Sequence, residues 1–161
     1  MTYLPKREQL RGLSYETAKL YGMPHIGCRY YRDDVNATAW IDSDERKCAA
    51  CGKVNGMQSK HHEPPKGKGR TFLLVTPMGK FVLKPALIDL CGSGTTGCHG
   101  DRHNGRLSVR WEWDSDEYEA QWWSGYLLSR PYHEPNGKWL YNFGCYVFER
   151  EGVSWEYREA A

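Results

Sequence analysis

Most of the residues that could carry out chemistry in this 161-residue chain are cysteines and histidines that lie close together. Of the six cysteines and six histidines, four of each fall between residues 48 and 103. Thiolates and imidazoles are the side chains that bind zinc and related transition metals. Their arrangement as two cysteine pairs and two histidine pairs therefore predicts metal chemistry in this segment.

The four cysteines have spacings typical of a structural zinc site. Cys48 and Cys51 enclose two residues and are followed by Gly52, which permits a tight turn behind the thiols. Cys91 and Cys98 enclose six residues, three of them glycines, so this loop is flexible enough to bring both sulfurs to the same ion. Without an export signal, such pairs favour a metal over disulfides, and free buried thiols are the alternative.

The four histidines form a second candidate metal site. His99 and His103 are four residues apart, so on a helix they share a face and can converge on one cation. His61 and His62 are adjacent, and on extended chain their side chains point in opposite directions. One of them can then bind a cation while the other contacts a different atom. This division suits a hydrolytic site in which one group holds the cation and another activates water.

These residues together resemble the HNH endonucleases, especially the small ones encoded by bacteriophages and prophages. The matching residues are Cys48-x-x-Cys51, His61-His62 and the run Leu90-Cys91-Gly-Ser-Gly-Thr-Thr-Gly-Cys98-His99-Gly-x-x-His103. The resemblance covers about residues 46–105, a little over a third of the chain. The N-terminal and C-terminal parts of the chain lie outside it.

The resemblance implies a ββα-metal fold, treble-clef-like and stapled by the four-cysteine zinc, that holds Mg²⁺, Mn²⁺, Ni²⁺ or Zn²⁺ as a catalytic cation. It implies that His61, His99 and His103 bind this cation and that His62 is the general base. The base would take a proton from a water that attacks phosphorus in line, and the cation would stabilise the leaving 3′ oxygen. The implied substrate is DNA, cut to 5′-phosphate and 3′-hydroxyl ends.

One position departs from the family pattern. The family usually has an asparagine five residues before the second cysteine pair, where it braces the loop that carries the base, and here that position is Ala86. The change removes an orienting hydrogen bond and leaves the base and the metal ligands in place. Two alternatives to the nuclease stay open: a zinc-stabilised nucleic-acid-binding module with a decayed catalytic centre, and an interaction protein that docks through its tryptophans.

The chain is expected to have an α+β fold in three regions. Residues 1–45 form an N-terminal arm, residues 46–105 the nuclease core and residues 106–161 a tryptophan-rich C-terminal extension of strands and a helix. In the arm, a serine before residues 15–21 and a glycine after them predict one short helix, and a helix-turn-helix is the less favoured alternative.

Apolar periodicity predicts further elements. Residues 71–83 read as a hairpin, because two β-prone runs flank Pro-Met-Gly. Residues 107–113 alternate between apolar and polar side chains, which is typical of a half-buried strand with Trp111 and Trp113 on its core face. A helix over 116–128 and strands over 140–148 and 153–157 complete the extension. Trp122 and Trp123 cannot both face inward on one helix, so one of them is expected to be exposed for a contact.

The charge distribution favours a phosphate-bearing partner near the histidines. Between residues 60 and 84 there are six lysines or arginines and a single acid, although a solvated loop explains this as well. The expected substrate-binding residues are Lys66, Lys68, Arg70 and Arg102. The net charge of +2 decides little by itself.

The overall composition predicts a soluble protein. Charged residues make up 26% of the chain, the mean hydropathy is −0.75, and no apolar stretch reaches the roughly 18 residues that cross a bilayer. The N-terminus has no apolar signal core. We therefore expect a cytoplasmic protein, located in the host cytoplasm if it is phage-encoded, and leave open a protein partner such as the phage packaging machinery.

Overall fold

The computed structural model of the chain describes residues 28–31, 46–54, 56–63, 72–83, 86–129 and 137–159. Within these ranges there are three small antiparallel sheets, two α-helices and a 3-10 helix. The α+β class expected from the sequence is therefore confirmed. The helix expected over residues 15–21 and the basic residues Lys66, Lys68 and Arg70 lie outside the described residues.

The regular elements are numbered here in chain order. The strands are β1 (Cys28–Tyr31), β2 (Gln58–Glu63), β3 (Phe72–Thr76), β4 (Gly79–Leu83), β5 (Ala86–Cys91), β6 (Leu107–Trp113), β7 (Gly144–Arg150) and β8 (Val153–Tyr157). The helices are α1 (Gly97–His103), α2 (Asp116–Trp123) and the 3-10 helix (Lys138–Asn142).

The first sheet has the strand order β1-β4-β3 and contains the predicted hairpin. Strands β3 and β4 pair antiparallel with Thr76 opposite Gly79, so the turn is formed by Pro77 and Met78. Phe81 and Leu83 are completely buried, so the hairpin packs on the core through these side chains. The hairpin prediction is confirmed.

The second sheet, β2 with β5, is followed by α1 and carries the histidines. The two strands pair antiparallel along their whole length, with Glu63 opposite Ala86. Ile88 and Leu90 of β5 have no exposed surface, and α1 packs against β5 and β6. The α1 helix spans His99 and His103, so the prediction that these two residues share a helix is confirmed.

The third sheet has the order β6-β7-β8 and forms most of the C-terminal extension. Leu107 and Val109 of β6 are buried while Ser108 and Arg110 are exposed, which confirms the alternation seen in the sequence. Trp111 and Trp113 are partly buried and pack against the core, on the face predicted for them. Strand β8 has the predicted bounds.

Two other expectations for the extension are wrong in their bounds. Helix α2 ends at Trp123 instead of residue 128, because Gly125 has a left-handed φ of 86° and its turn lies so close to β3 that an added Cβ would come within 2.3 Å of Thr76 Oγ1. The strand expected from residue 140 begins at Gly144 and is preceded by the 3-10 helix.

The expectation that either Trp122 or Trp123 is exposed is also wrong. The two side chains are 0% and 9% exposed. Trp122 and Trp123 belong to the same hydrophobic cluster as Leu127 and Leu128, which follow the end of α2. The Trp122 ring also lies 5.6 Å from that of Trp113, in the range of favourable aromatic pairs. Both tryptophans are therefore core residues.

The extension packs directly on the cysteine-rich segment. The indole nitrogen of Trp155 donates to the carbonyl of Ala50 at 2.9 Å, and Arg150 Nη2 donates to Asp101 at 3.0 Å. A single hydrophobic cluster includes residues from both the 46–105 segment and the C-terminal sheet. The third sheet thus forms one wall of the body that positions the candidate site.

Candidate metal centres

The four predicted zinc ligands come together from three elements. Cys48 and Cys51 belong to the turn before β2, Cys91 ends β5, and Cys98 lies in the first turn of α1. Their sulfur atoms all lie within 4.8 Å of one another. All four are free thiols rather than disulfides.

A sulfur–sulfur distance within the cysteine group fits a zinc site. Cys51 Sγ and Cys91 Sγ are 3.7 Å apart. Four thiolates around one zinc at about 2.3 Å have sulfurs about 3.8 Å apart, whereas a disulfide requires about 2.05 Å. The cysteine cluster therefore has the donor set and the spacing of a tetrahedral zinc site.

Local backbone geometry explains why the cysteines converge. Gly52 has a φ of 78° and donates its N–H to the Cys48 carbonyl at 2.8 Å, which closes the first turn. In the second loop, Gly92 has a φ of 86°, and a Cβ there would lie 2.2 Å from the Thr96 carbonyl oxygen. Only glycine fits at that position, so the loop between Cys91 and Cys98 folds back tightly despite its length.

Hydrogen bonds to sulfur support the negative charge that a zinc site carries. The backbone N–H of Cys51 donates to Cys48 Sγ at 3.4 Å, and Arg150 Nη2 donates to Cys98 Sγ at 3.4 Å. Burial raises the pKa of the Cys98 thiol, and the Arg150 contact opposes that rise. The Cys98 thiol thus resists ionising without a cation, while the donors are in place to stabilise bound thiolates.

The histidine group lies between β2 of the second sheet and α1. His61 of β2 and His99 and His103 of α1 each place a ring nitrogen within 4.8 Å of the others. His99 Nε2 and His103 Nε2 are 2.9 Å apart, close to the roughly 3.4 Å between two nitrogens on one tetrahedral ion. The structure thus brings together the three residues predicted as ligands of the cation.

The three-histidine group is closed on one side and open on the other. His61 is 1% exposed, His99 is half-buried and His103 is exposed. Burial, with repulsion from a charged His61 or His103, lowers the pKa of His99 to about 4. His99 is therefore a neutral imidazole at neutral pH, which is the form that binds metals.

Two further polar residues of β2 contact this group, and sequence inspection did not single them out. Ser59 Oγ is 2.5 Å from His99 Nδ1, and Glu63 Oε2 is 2.9 Å from His61 Nε2. Ser59, His61 and Glu63 alternate along the strand and therefore share one face. That two-residue spacing around His61 is the signal that could have identified them.

Two other expected site residues, His62 and Arg102, and the departing position Ala86 have different surroundings. His62 is half-buried, and strand alternation directs it away from the face of His61. Arg102, expected to bind substrate, donates from Nε and Nη2 to the two oxygens of Glu63, each at 3.0 Å. Ala86, at the position of the family's asparagine, is completely buried. The substrate-binding role of Arg102 stays a prediction.

A scan against protein-family models found no match, and neither the curated proteins nor the solved structures gave one. Among the described residues, no helix has the length and apolar character needed to cross a membrane. Any functional assignment therefore depends on the two side-chain clusters.

Proposed function

We propose that this protein is a metal-dependent HNH-type endonuclease that hydrolyses phosphodiester bonds in DNA. The observation that carries the proposal is the convergence of His61, His99 and His103 at a partly exposed site, beside a four-cysteine group of which three members are buried. Structural zinc sites have four protein ligands and are closed, whereas catalytic sites have three and keep a position open. The two clusters differ in this way.

The arrangement of the second sheet and α1 supports the proposal of a ββα-metal centre. The two antiparallel strands contribute His61, and the helix that follows them contributes His99 and His103. The cysteine group lies at the ends of the same elements, since Cys91 ends β5 and Cys98 immediately precedes His99. A zinc there would hold strand and helix at a constant separation and so keep the histidines in place.

In the proposed reaction, His62 is the general base that takes a proton from the attacking water. The water oxygen then bonds to phosphorus in line with the leaving 3′ oxygen, whose bond to phosphorus breaks. When bound, the divalent cation neutralises charge on the leaving oxygen. His61, His99 and His103 would hold the cation in position, and the exposure of His103 leaves room for the phosphate. The resemblance extends the proposal to a bacteriophage or prophage setting.

A second candidate is a zinc-stabilised nucleic-acid-binding module without catalysis. Ala86 favours it, because a completely buried apolar side chain stands where the family has a hydrogen-bonding amide. In this case the cysteine group retains its structural role and the histidine group is a remnant.

Incubation of plasmid DNA with the protein and Mg²⁺, Mn²⁺ or Ni²⁺ separates the two candidates. The nuclease predicts cation-dependent nicking that falls by about 10²- to 10⁴-fold in His62→Ala, the usual contribution of a general base. Zinc content and unfolding should be unchanged in this variant. DNA binding without cleavage under every cation favours the module, and nicking that is undiminished in His62→Ala rejects its role as base.

A further inference from the structure

We propose that Ser59 and Glu63 are positioning residues that determine which ring nitrogen each histidine offers to the cation: Nε2 of His99 and Nδ1 of His61. The inference rests on the proposed cation site, and it adds two residues that lie outside the sequence pattern. Both act through a histidine, so neither is expected to touch the substrate.

The hydrogen bonds of Ser59 define the state of His99. Ser59 Oγ is 2.9 Å from the Gly92 carbonyl oxygen, 3.4 Å from that of Leu90 and 2.5 Å from His99 Nδ1. A hydroxyl has one hydrogen, and a carbonyl can only accept. The Ser59 hydrogen therefore goes to Gly92, and Oγ accepts from His99 Nδ1–H.

The other nitrogen of His99 is then the one with a lone pair. A neutral imidazole carries a single ring N–H, so a hydrogen on Nδ1 leaves Nε2 as an acceptor or a metal ligand. His99 Nε2 lies 2.9 Å from His103 Nε2, which places it inside the three-histidine group. Ser59 thus holds His99 in the tautomer that binds a cation there.

The same argument, applied to the hydrogens of His61, identifies Nδ1 as the nitrogen with the lone pair. The Glu63 carboxylate accepts both hydrogen bonds from Arg102, and it can only accept from His61. The 2.9 Å contact between Glu63 Oε2 and His61 Nε2 therefore requires a hydrogen on Nε2. In the neutral imidazole, which is the form that binds metals, Nδ1 is then the lone-pair nitrogen of His61.

Strand geometry explains why both positioning residues lie on β2. Ser59, His61 and Glu63 share a face of β2, and that face is directed at α1, which carries His99, Arg102 and His103. The bidentate Arg102 pair further fixes the Glu63 side chain, because the guanidinium engages both of its oxygens. Outer-shell partners of this kind typically change metal affinity by about 10- to 100-fold.

The test uses the full-length protein labelled with ¹⁵N-histidine. Long-range proton–nitrogen NMR correlations report the tautomer of each ring before and after Zn²⁺ is added, in protein whose cysteine group is already loaded. We expect the Nδ1–H form for His99 and the Nε2–H form for His61 without the second ion. On titration, His99 Nε2 and His61 Nδ1 should show the metal-bound shifts.

Substitutions examine each contact separately. Ser59→Ala should release His99 into mixed tautomers and weaken cation binding by about 10- to 100-fold, while Ser59→Thr, which keeps the hydroxyl, should restore both. In Glu63→Gln the amide has one acceptor oxygen for Arg102, so its NH₂ group would face His61 Nε2 and shift the hydrogen to Nδ1. Ser108→Ala and Glu156→Gln, at exposed positions, are the matched controls.

Several outcomes would overturn the inference: coordination through His99 Nδ1 or His61 Nε2, or a Ser59→Ala variant with unchanged tautomer and affinity. Expected tautomers and cation binding without DNA cleavage would reject the nuclease and leave the positioning roles intact. Cleavage by a protein with the reversed tautomers would reject the positioning roles alone. A wild-type protein that binds no cation at these histidines would reject both.

Discussion

The cysteine group and the histidine group share the second sheet and α1 but differ in how far they are closed. Three of the four cysteines are buried and only Cys51 is exposed, and Arg150 and Trp155 of the C-terminal sheet contact this group and its first loop. In the histidine group, exposure increases from His61 to His103. The second sheet and α1 therefore support a more closed site next to a more open one.

Along α1, one group is expected to contribute folding stability and the other to admit water and a substrate. Thiolates in a closed tetrahedral site exchange slowly with solvent and contribute folding free energy, whereas an open imidazole site can admit water and a substrate. Cys98 and His99 are neighbours in sequence but face the two different centres. The first centre should control folding, and the second should control reactivity.

The largest expected effect is in the closed centre. Cys48→Ser removes one of four thiolates, so the variant should lose zinc and be destabilised by several kcal/mol, because structural zinc binding is worth about 10–16 kcal/mol. Zinc content by elemental analysis and thermal unfolding would measure this. Cys145→Ser, a buried cysteine outside the group, should keep its zinc. Full zinc and full stability in Cys48→Ser would contradict the structural assignment.

The second effect should be confined to the open centre. His103→Ala removes an exposed ligand, so cation affinity at the histidines should fall by more than the roughly 10- to 100-fold that an outer-shell partner costs, and cleavage should fall with it. The zinc content should not change, and the free energy of unfolding should change by no more than about 0.5 kcal/mol, as for other surface substitutions. Calorimetric titration with Ni²⁺ measures the affinity. A large loss of stability would show that the two centres do not divide folding and reactivity.

A smaller effect would show how the C-terminal sheet supports the closed centre. Arg150→Met keeps the aliphatic stem but loses the donors to Cys98 Sγ and Asp101, so zinc should be released to a chelator about 10-fold more readily. Arg110→Met, at an exposed ion pair of the same sheet, is the control. Equal zinc retention in the two variants would contradict a role for Arg150 at the cysteine group.

The smallest effect is expected for an ion pair remote from both centres. Hydrogen bonds from Arg158 lower the pKa of Asp114, and the two side chains are 38% and 35% exposed. Asp114→Asn should therefore cost at most about 1 kcal/mol at neutral pH. Because the folded pKa lies below the unfolded value of 3.8, the stabilisation is present above that value and is lost as the pH falls through the folded pKa. Urea unfolding should show the variant and wild type converging in acid, and a constant difference at every pH would contradict this origin.

Local patterns were sufficient to predict which cysteines and histidines come together in the two groups. The two-residue gap between Cys48 and Cys51 and the four-residue step from His99 to His103 are short-range geometry, which chain covalency and helical pitch determine. The hairpin over 72–83 and the alternation of β6 were predictable for the same reason. Helix α2 was predicted too long, because its end depends on how closely Gly125 approaches β3.

The sequence by itself determined which side chains could bind metal and which segments could be strands or a helix, because those properties depend on neighbouring residues. Only the tertiary structure decided that Ser59 and Glu63 contact the histidines, that Arg102 pairs with Glu63, and that Arg150 reaches Cys98. These contacts join residues 39 to 52 positions apart, apart from the two-residue step between His61 and Glu63. They depend on strand register and on how α1 and the third sheet pack, which no local pattern specifies.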